Sequence, residues 1–268
     1  MNEAGPPPRE PIADAAVPPR GRGFRAVPLR LLIPNIITLF ALGLGLTAIR
    51  LAMEGAIEWA VSAIAGAAVL DGLDGRIARA LKGTSRFGAE LDSLADFVDF
   101  GVAPALVLYV ADLHAAKNFG WVAALLFAMA CALRLARFNV MIDEDQPAWR
   151  GTFFVGMPAP AGAIVGLLPI YLHYAFDLGL PTSRSAVVES LYVLGVALLM
   201  ASRVPHFSGK SIGRVPREYV AVVLVGVAGA FLLLFNFPMQ ALVAVTLAYL
   251  ASIPFAVRRY RALDRAGK

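Results

Sequence analysis

Apolar runs separated by short polar intervals fill the chain from about residue 31 to residue 257. Most approach the roughly 20 residues that a helix needs to cross a hydrocarbon layer. Read this way, the pattern predicts about eight spans, at residues 31–51, 57–81, 89–110, 119–137, 159–176, 186–201, 218–235 and 239–257. The expected fold is therefore all-α, a polytopic membrane helical bundle. Residues 1–28 are rich in Pro and Arg and have no apolar core, so they read as a disordered or interfacial cytosolic tail. Residues 29–258 form the membrane domain, and residues 259–268 a short basic tail.

Composition agrees with the pattern. Hydrophobic residues make up 59% of the chain and charged residues 16%, and the mean hydropathy is +0.69. A soluble domain carries a larger charged share. The single cysteine, Cys131, excludes an internal disulfide framework. His114, His173 and His206 are scattered without metal-ligand spacing and read as ordinary structural residues. With the N-terminus cytosolic, the outer connections hold only Arg50, Lys117 and Arg184 of the 24 basic residues. That bias places both termini inside. The net charge of +5 is then a topology signal with some attraction to anionic lipid, and does not point to nucleic acid.

One stretch breaks the apolar pattern. Residues 70–101, LDGLDGRIARALKGTSRFGAELDSLADFVDFG, hold Asp71, Asp74, Asp92, Asp96 and Asp99. An ionised aspartate at mid-bilayer costs about 3 kcal/mol even on a lenient scale. Several on neighbouring spans need cations or bound partners. Asp71, Asp74 and Ala78 share one helical face, and Asp92, Asp96 and Asp99 repeat the spacing on the next helix. Folding the helices about the intervening turn pairs Asp71 with Asp96, Asp74 with Asp92 and Arg79 with Gly88. Each pair is centred on Gly83–Thr84. Asp71 then lies about 15 Å below the helix end, inside the cytosolic leaflet near the headgroups.

Carboxylates without Cys or His partners suit Mg²⁺ or Mn²⁺. Four facing acids, Asp71, Asp74, Asp92 and Asp96, can hold two such ions and clamp a phosphate. Gly75 and Gly88 remove side chains beside the acids, and Arg79 continues the same face toward a phosphate. The bland competitor is a set of buried ion pairs with Arg76, Arg79 and Arg86. Local arginines are too few for all the acids, although for Asp99 alone the two readings are balanced.

These residues resemble the CDP-alcohol phosphotransferase family. DGLDGRIARALKGTSRFGAELDSLAD fills every fixed position of its signature, with Asp71, Asp74, Gly75, Ala78, Arg79, Gly88, Asp92 and Asp96. The resemblance implies a helical, usually homodimeric, membrane enzyme that moves a phosphate-linked group from a CDP-linked donor to an alcohol, releasing CMP. It also implies a divalent metal at the aspartates. PNIIT is similar to the family's first-helix motif, which would turn Asn35 and Thr38 to the nucleotide. Ser85 joins them as a donor-binding candidate.

RLARFN, FFVGMPAPAGA and RVPHFSGK look like the branch that uses CDP-diacylglycerol as donor and L-serine as acceptor. DSLADF stands where glycerol-phosphate-using relatives have D-P-x-A-D-K, which argues against that acceptor. Inositol phosphate, glycerol phosphate and choline stay as alternative acceptors. Candidate contacts for the acceptor or a phosphate are Arg134, Arg137, Asn139 and Asp99. For each arginine, membrane anchoring at the cytosolic face is an equal competitor, and Ser208 and Lys210 suit a solvated loop better. Asp96 is the expected general base. A bacterial inner-membrane location follows from the same branch. A cation transporter is the rival of a different class. It would place the acids at mid-membrane, whereas here they gather toward one leaflet beside a basic turn.

Overall fold

The computed structural model describes residues 29–81, 83, 85–141, 153–179, 181–207 and 220–266. The expectations for residues 1–28, Ser208 and Lys210 lie outside them. The order is α1 (Leu29–Met53), α2 (Ile57–Ala80), α3 (Arg86–Phe97), a π-helical segment (Val98–Val102), α4 (Ala103–Ala111), a 3₁₀ turn (Leu113–Ala116) and α5 (Asn118–Met141). After these come β1 (Phe153–Val155), α6 (Ala159–Gly166), α7 (Leu168–Phe176), α8 (Ser183–Ala201), β2 (Pro205–Phe207), α9 (Val220–Asn236) and α10 (Pro238–Ala266).

Among the described residues, six helical stretches are long and apolar enough to cross a membrane. The protein is a multi-pass helical membrane protein. Of the other two expected spans, α2 carries Asp71, Asp74, Arg76 and Arg79 toward its end, and α9 has only 17 residues. Large apolar side chains such as Phe40, Trp59, Val188 and Leu198 face outward, as a lipid-facing surface requires. Small residues bring the interior helices together. Ala41, Ala48 and Ala52 of α1 are buried with Ala60, Ile64 and Ala67 of α2, and α1 and α2 make the most extensive helix pair. Without bulky side chains at the seam, the backbones approach closely.

Three features depart from eight uninterrupted spans. The third expected span holds the π segment, in which the Ala103 N–H bonds to the Val98 carbonyl. Pro104 follows at the start of α4. Its missing N–H leaves a carbonyl one turn earlier without its usual donor, and a widened turn accommodates this. The fifth is split at Leu167, where Pro169 opens α7. A two-stranded antiparallel sheet, unexpected from the sequence, pairs Phe154 with His206. It joins the segment before α6 to the one after α8, and α10 packs on β2.

Away from the aspartates, one imidazole joins three elements. His173 Nδ1 of α7 lies 3.2 Å from Asp112 Oδ1, and its Nε2 lies 3.4 Å from Glu189 Oε1 of α8. The remaining carboxylate oxygens, Asp112 Oδ2 and Glu189 Oε2, are buried without hydrogen-bond partners among the described residues. Asp112 follows α4 and is about 30 Å along the chain's helical run from Asp92. Removing the imidazole leaves two buried carboxylates uncompensated, which costs about 3–5 kcal/mol. His173→Ala is therefore expected to lower the thermal unfolding midpoint in detergent markedly, while activity at low temperature survives. Equal midpoints for the variant and the parent would show that the imidazole does not hold these elements together.

Candidate active site

The site is built on α1. Both α2 and α3 pack against this helix, while α2 and α3 themselves make few backbone contacts. The expected close hairpin is thus a splayed pair whose carboxyl groups reach across the gap. Asp71, Asp74 and Asp92 can each place one oxygen within 4.8 Å of the others. The Thr38 hydroxyl lies 2.7 Å from Asp74 Oδ2 and 3.1 Å from the Pro34 carbonyl. With one proton to give, it donates to the nearer, charged acceptor. Asp74 is thereby oriented from α1.

Asp96 joins the group through Asp71, with which it is in hydrogen-bond contact. The expected set of four acids therefore has two parts: a triangle of Asp71, Asp74 and Asp92, and Asp96 attached at one corner. All donors are hard oxygens, so the triangle fits a divalent cation such as Mg²⁺ or Mn²⁺ and does not suit a soft metal. Among the described residues, the ion pairs are Arg50–Glu54 and those of His173. None involves these acids, so the ion-pair competitor has no support among those residues.

A cavity of about 180 Å³ opens beside the triangle, lined by Asn35, Thr38, Asp74, Gly75, Ala78, Arg79, Ser85, Gly88 and Asp92 among others. Every expected donor-binding residue lies on this wall. Ser85 caps α3, accepting from the Gly88 N–H at 3.0 Å, so the positive end of the α3 dipole opens on the cavity. A Cβ at Gly88 would stand 2.8 Å from Asn35 Oδ1, so a side chain there would displace the Asn35 amide on the cavity wall. Arg79 is exposed at the rim.

Asp71 and Asp96 do not line that cavity, and both interact electrostatically with Arg134 of α5. Arg134 is only 8% exposed, and its guanidinium lies 5.6 Å from the Phe138 ring centre. Burial at this depth goes beyond what anchoring at a membrane surface requires. Arg137 is committed elsewhere: its Nη1 donates to the carbonyls of Ala201 and Ser202 at 2.8 and 3.2 Å, closing the end of α8. Asn139 is exposed and bonds Ser93 Oγ at 3.0 Å. Asp99 sits in the π segment, 1% exposed, filling the space where a side chain at Gly45 would be. It is packed against α1 and does not line the cavity. His206 and Tyr249, without an expected functional role, stack with ring centres 6.0 Å apart, and both interact electrostatically with Arg134. The only sequence signal was a polar residue in an apolar context, and that alone names no role.

The family model for CDP-alcohol phosphatidyltransferases matches residues 31–202. The chain belongs to the CDP-alcohol phosphatidyltransferase family. The match spans α1 to α8 and includes every acid described above. Over 245 residues the chain is 44% identical to the CDP-diacylglycerol–serine O-phosphatidyltransferase of Mycobacterium leprae, covering 90% of this chain and 79% of that protein. The Helicobacter pylori (strain 26695) protein of the same name is 34% identical over 66% of this chain and 73% of its own. The Bacillus subtilis one is 33% identical over 65% of this chain and 90% of its own. In this phosphatidyltransferase, Thr38 is the link between α1 and the acids. Thr38→Val keeps the shape and removes the hydrogen bond to Asp74. Loss of such an outer contact typically weakens a metal site by about 10–100-fold. A Mn²⁺ titration followed by electron paramagnetic resonance should show that weakening, and an unchanged affinity would mean that Thr38 does not orient Asp74.

Proposed function

We infer that the protein transfers the phosphatidyl group of CDP-diacylglycerol to the hydroxyl of L-serine, giving phosphatidylserine and CMP. The observation that carries this reading is the acid group itself, in which Asp74 and Asp92 line an open cavity while Asp71 and Asp96 lie outside it and interact electrostatically with the buried Arg134. The serine assignment is supported by the names of relatives that match along most of the chain.

Asn35, Thr38, Gly75, Ala78, Arg79, Ser85 and Gly88 hold the CMP half of the donor in the cavity, with Arg79 and the α3 N-terminus toward its phosphates. Asp71, Asp74 and Asp92, with Asp96 beside them, would hold Mg²⁺ or Mn²⁺, which neutralises charge on the diphosphate when bound. Asp96 takes the proton from the serine hydroxyl. The hydroxyl oxygen forms the new bond to the phosphorus that carries diacylglycerol, and the bond from that phosphorus to the CMP oxygen breaks. In such a displacement the nucleophile and leaving group lie on opposite sides of phosphorus. Arg134 supplies positive charge to Asp71 and Asp96. Among the described residues no lysine belongs to the acid group and the Cys131 thiol is buried, which favours direct displacement over a covalent carrier. The same reading puts the enzyme in a bacterial cytoplasmic membrane as a homodimer, with termini and active site in the cytosol.

Purified enzyme given CDP-diacylglycerol and a panel of serine, glycerol phosphate, inositol phosphate and choline should yield phosphatidylserine as the main lipid. Another preferred acceptor would overturn the serine reading. Chelation should abolish turnover, and added Mg²⁺ or Mn²⁺ should restore it. Asp96→Asn should keep donor binding and lose turnover by at least the roughly 10²–10⁴ attributable to a general base. Near-parental single-turnover rates would move that role to another residue.

A further inference from the structure

The cavity beside the acids has a neighbour on the same two helices. On α1 the cavity is lined by Pro34, Asn35 and Thr38. A groove of about 460 Å³ follows along that helix, lined by Ile37, Phe40, Gly43, Leu44 and Thr47, with Leu70 of α2. Leu70, Asp74 and Ala78 recur at intervals of four, so they share one face of α2, and the latter two line the cavity. A short turn at residues 54–56 joins α1 to α2, so the helices run in opposite directions. Rising numbers on α1 and falling numbers on α2 therefore lead the same way, from the cavity into the apolar stretch Leu32–Met53. Cavity and groove follow one another along a single helix seam. The step from Thr38 to Thr47 covers about 14 Å.

The lining of the groove suits a hydrocarbon. Ile37, Phe40, Leu44 and Leu70 offer only carbon, and the Thr47 hydroxyl already donates to the Gly43 carbonyl at 2.6 Å. A Cβ at Gly43 would meet nothing within 4 Å, so the groove is open at its middle. Phe40 is 67% exposed, which turns the groove toward lipid. The donor of the proposed reaction is itself a lipid. With its phosphorus held at the acids, its chains must run into the membrane, and the groove starts at that level: Ile37 adjoins Thr38, and Leu70 adjoins Asp71. Lipid tails are as apolar as the groove, so seating one there gains little hydrophobic energy. What the groove supplies is orientation of the phosphorus attached to that chain.

We propose that the α1–α2 groove holds one acyl chain of the CDP-diacylglycerol donor and thereby positions its reacting phosphorus. This rests on the donor half of the reading above and gives the lipid part of that substrate its place.

Gly43→Leu fills the groove at a position where the added Cβ meets no neighbour. Gly195→Leu of α8 makes the same change at another open position and is the control. With full-length enzyme in detergent, kcat/KM for CDP-dioleoylglycerol should fall at least about 10-fold in Gly43→Leu, as small misplacements of reacting groups do. For a dibutanoyl donor, whose short chains have little to seat, it should stay within about twofold. Gly195→Leu should change neither. Equal losses with both donors, or no loss with the long one, would overturn the proposal. The parent enzyme decides if Gly43→Leu does not fold. CDP-diacylglycerol with a diazirine midway along one chain should label peptides holding residues 37–47 or Leu70. Unlabelled CDP-diacylglycerol should suppress that labelling where the same excess of phosphatidylcholine does not. Labelling absent from those peptides, or suppressed equally by both lipids, would overturn the proposal, leaving a second copy of the chain or bulk lipid in the groove. A parent enzyme that transfers no phosphatidyl group from CDP-diacylglycerol to any alcohol would instead reject the underlying reading, so the two failures are distinct.

Discussion

Carboxylates gathered inside a lipid-embedded bundle repel one another, and each has also lost most of its water. Such a group persists only if rigid elements hold it and something positive compensates it. In this protein α1 does the holding. Its alanine seam locks α2 in place, and its Thr38 hydroxyl reaches Asp74 across the joint. The buried Arg134 guanidinium interacts electrostatically with Asp71 and Asp96, and the Asp71–Asp74–Asp92 triangle has the all-oxygen donor set that would hold a divalent ion. The placement of the cavity, the cap on α3 and the packing of α5 all serve this arrangement.

Helix spacing alone went far toward this picture. The recurrence of acids at three- and four-residue intervals on two adjacent helices placed them on facing surfaces, and Asp71 does reach Asp96. All seven expected donor-side residues also line one wall. What spacing could not convey was which partner each remaining polar group finds. Arg134 and Arg137 are three residues apart and look equivalent in sequence, yet one interacts electrostatically with acids and the other closes the end of α8. That difference depends on where α8 ends, which no local pattern around residue 137 encodes. His206 and Tyr249 are more than 40 positions apart and meet only because a two-stranded sheet carries the first beneath α10. Three-residue strands are too short to leave a readable alternation.

The two ends of the bundle handle buried charge differently. At the far end, a single imidazole bridges two carboxylates and binds three elements together. Near the acids, α2 and α3 make few contacts with each other and are held together through α1, the π segment and α6. Cohesion is concentrated away from the chemistry, and the acid-bearing helices keep a gap that a substrate can occupy.

The widened turn at Val98–Val102 also sets angular phase. An α-helix advances roughly 100° per residue, and the π segment fits one additional residue into a turn. The face carrying Asp92 and Asp96 is therefore offset by about that angle from the face it would share with α4 in a regular helix. Shortening the chain by one residue here would straighten the helix and swing the acids away from Asp71, or turn Val107 and Leu108 out of the core. Many substitutions in this segment could be absorbed by local repacking, but its length could not change without dismantling either the site or the core.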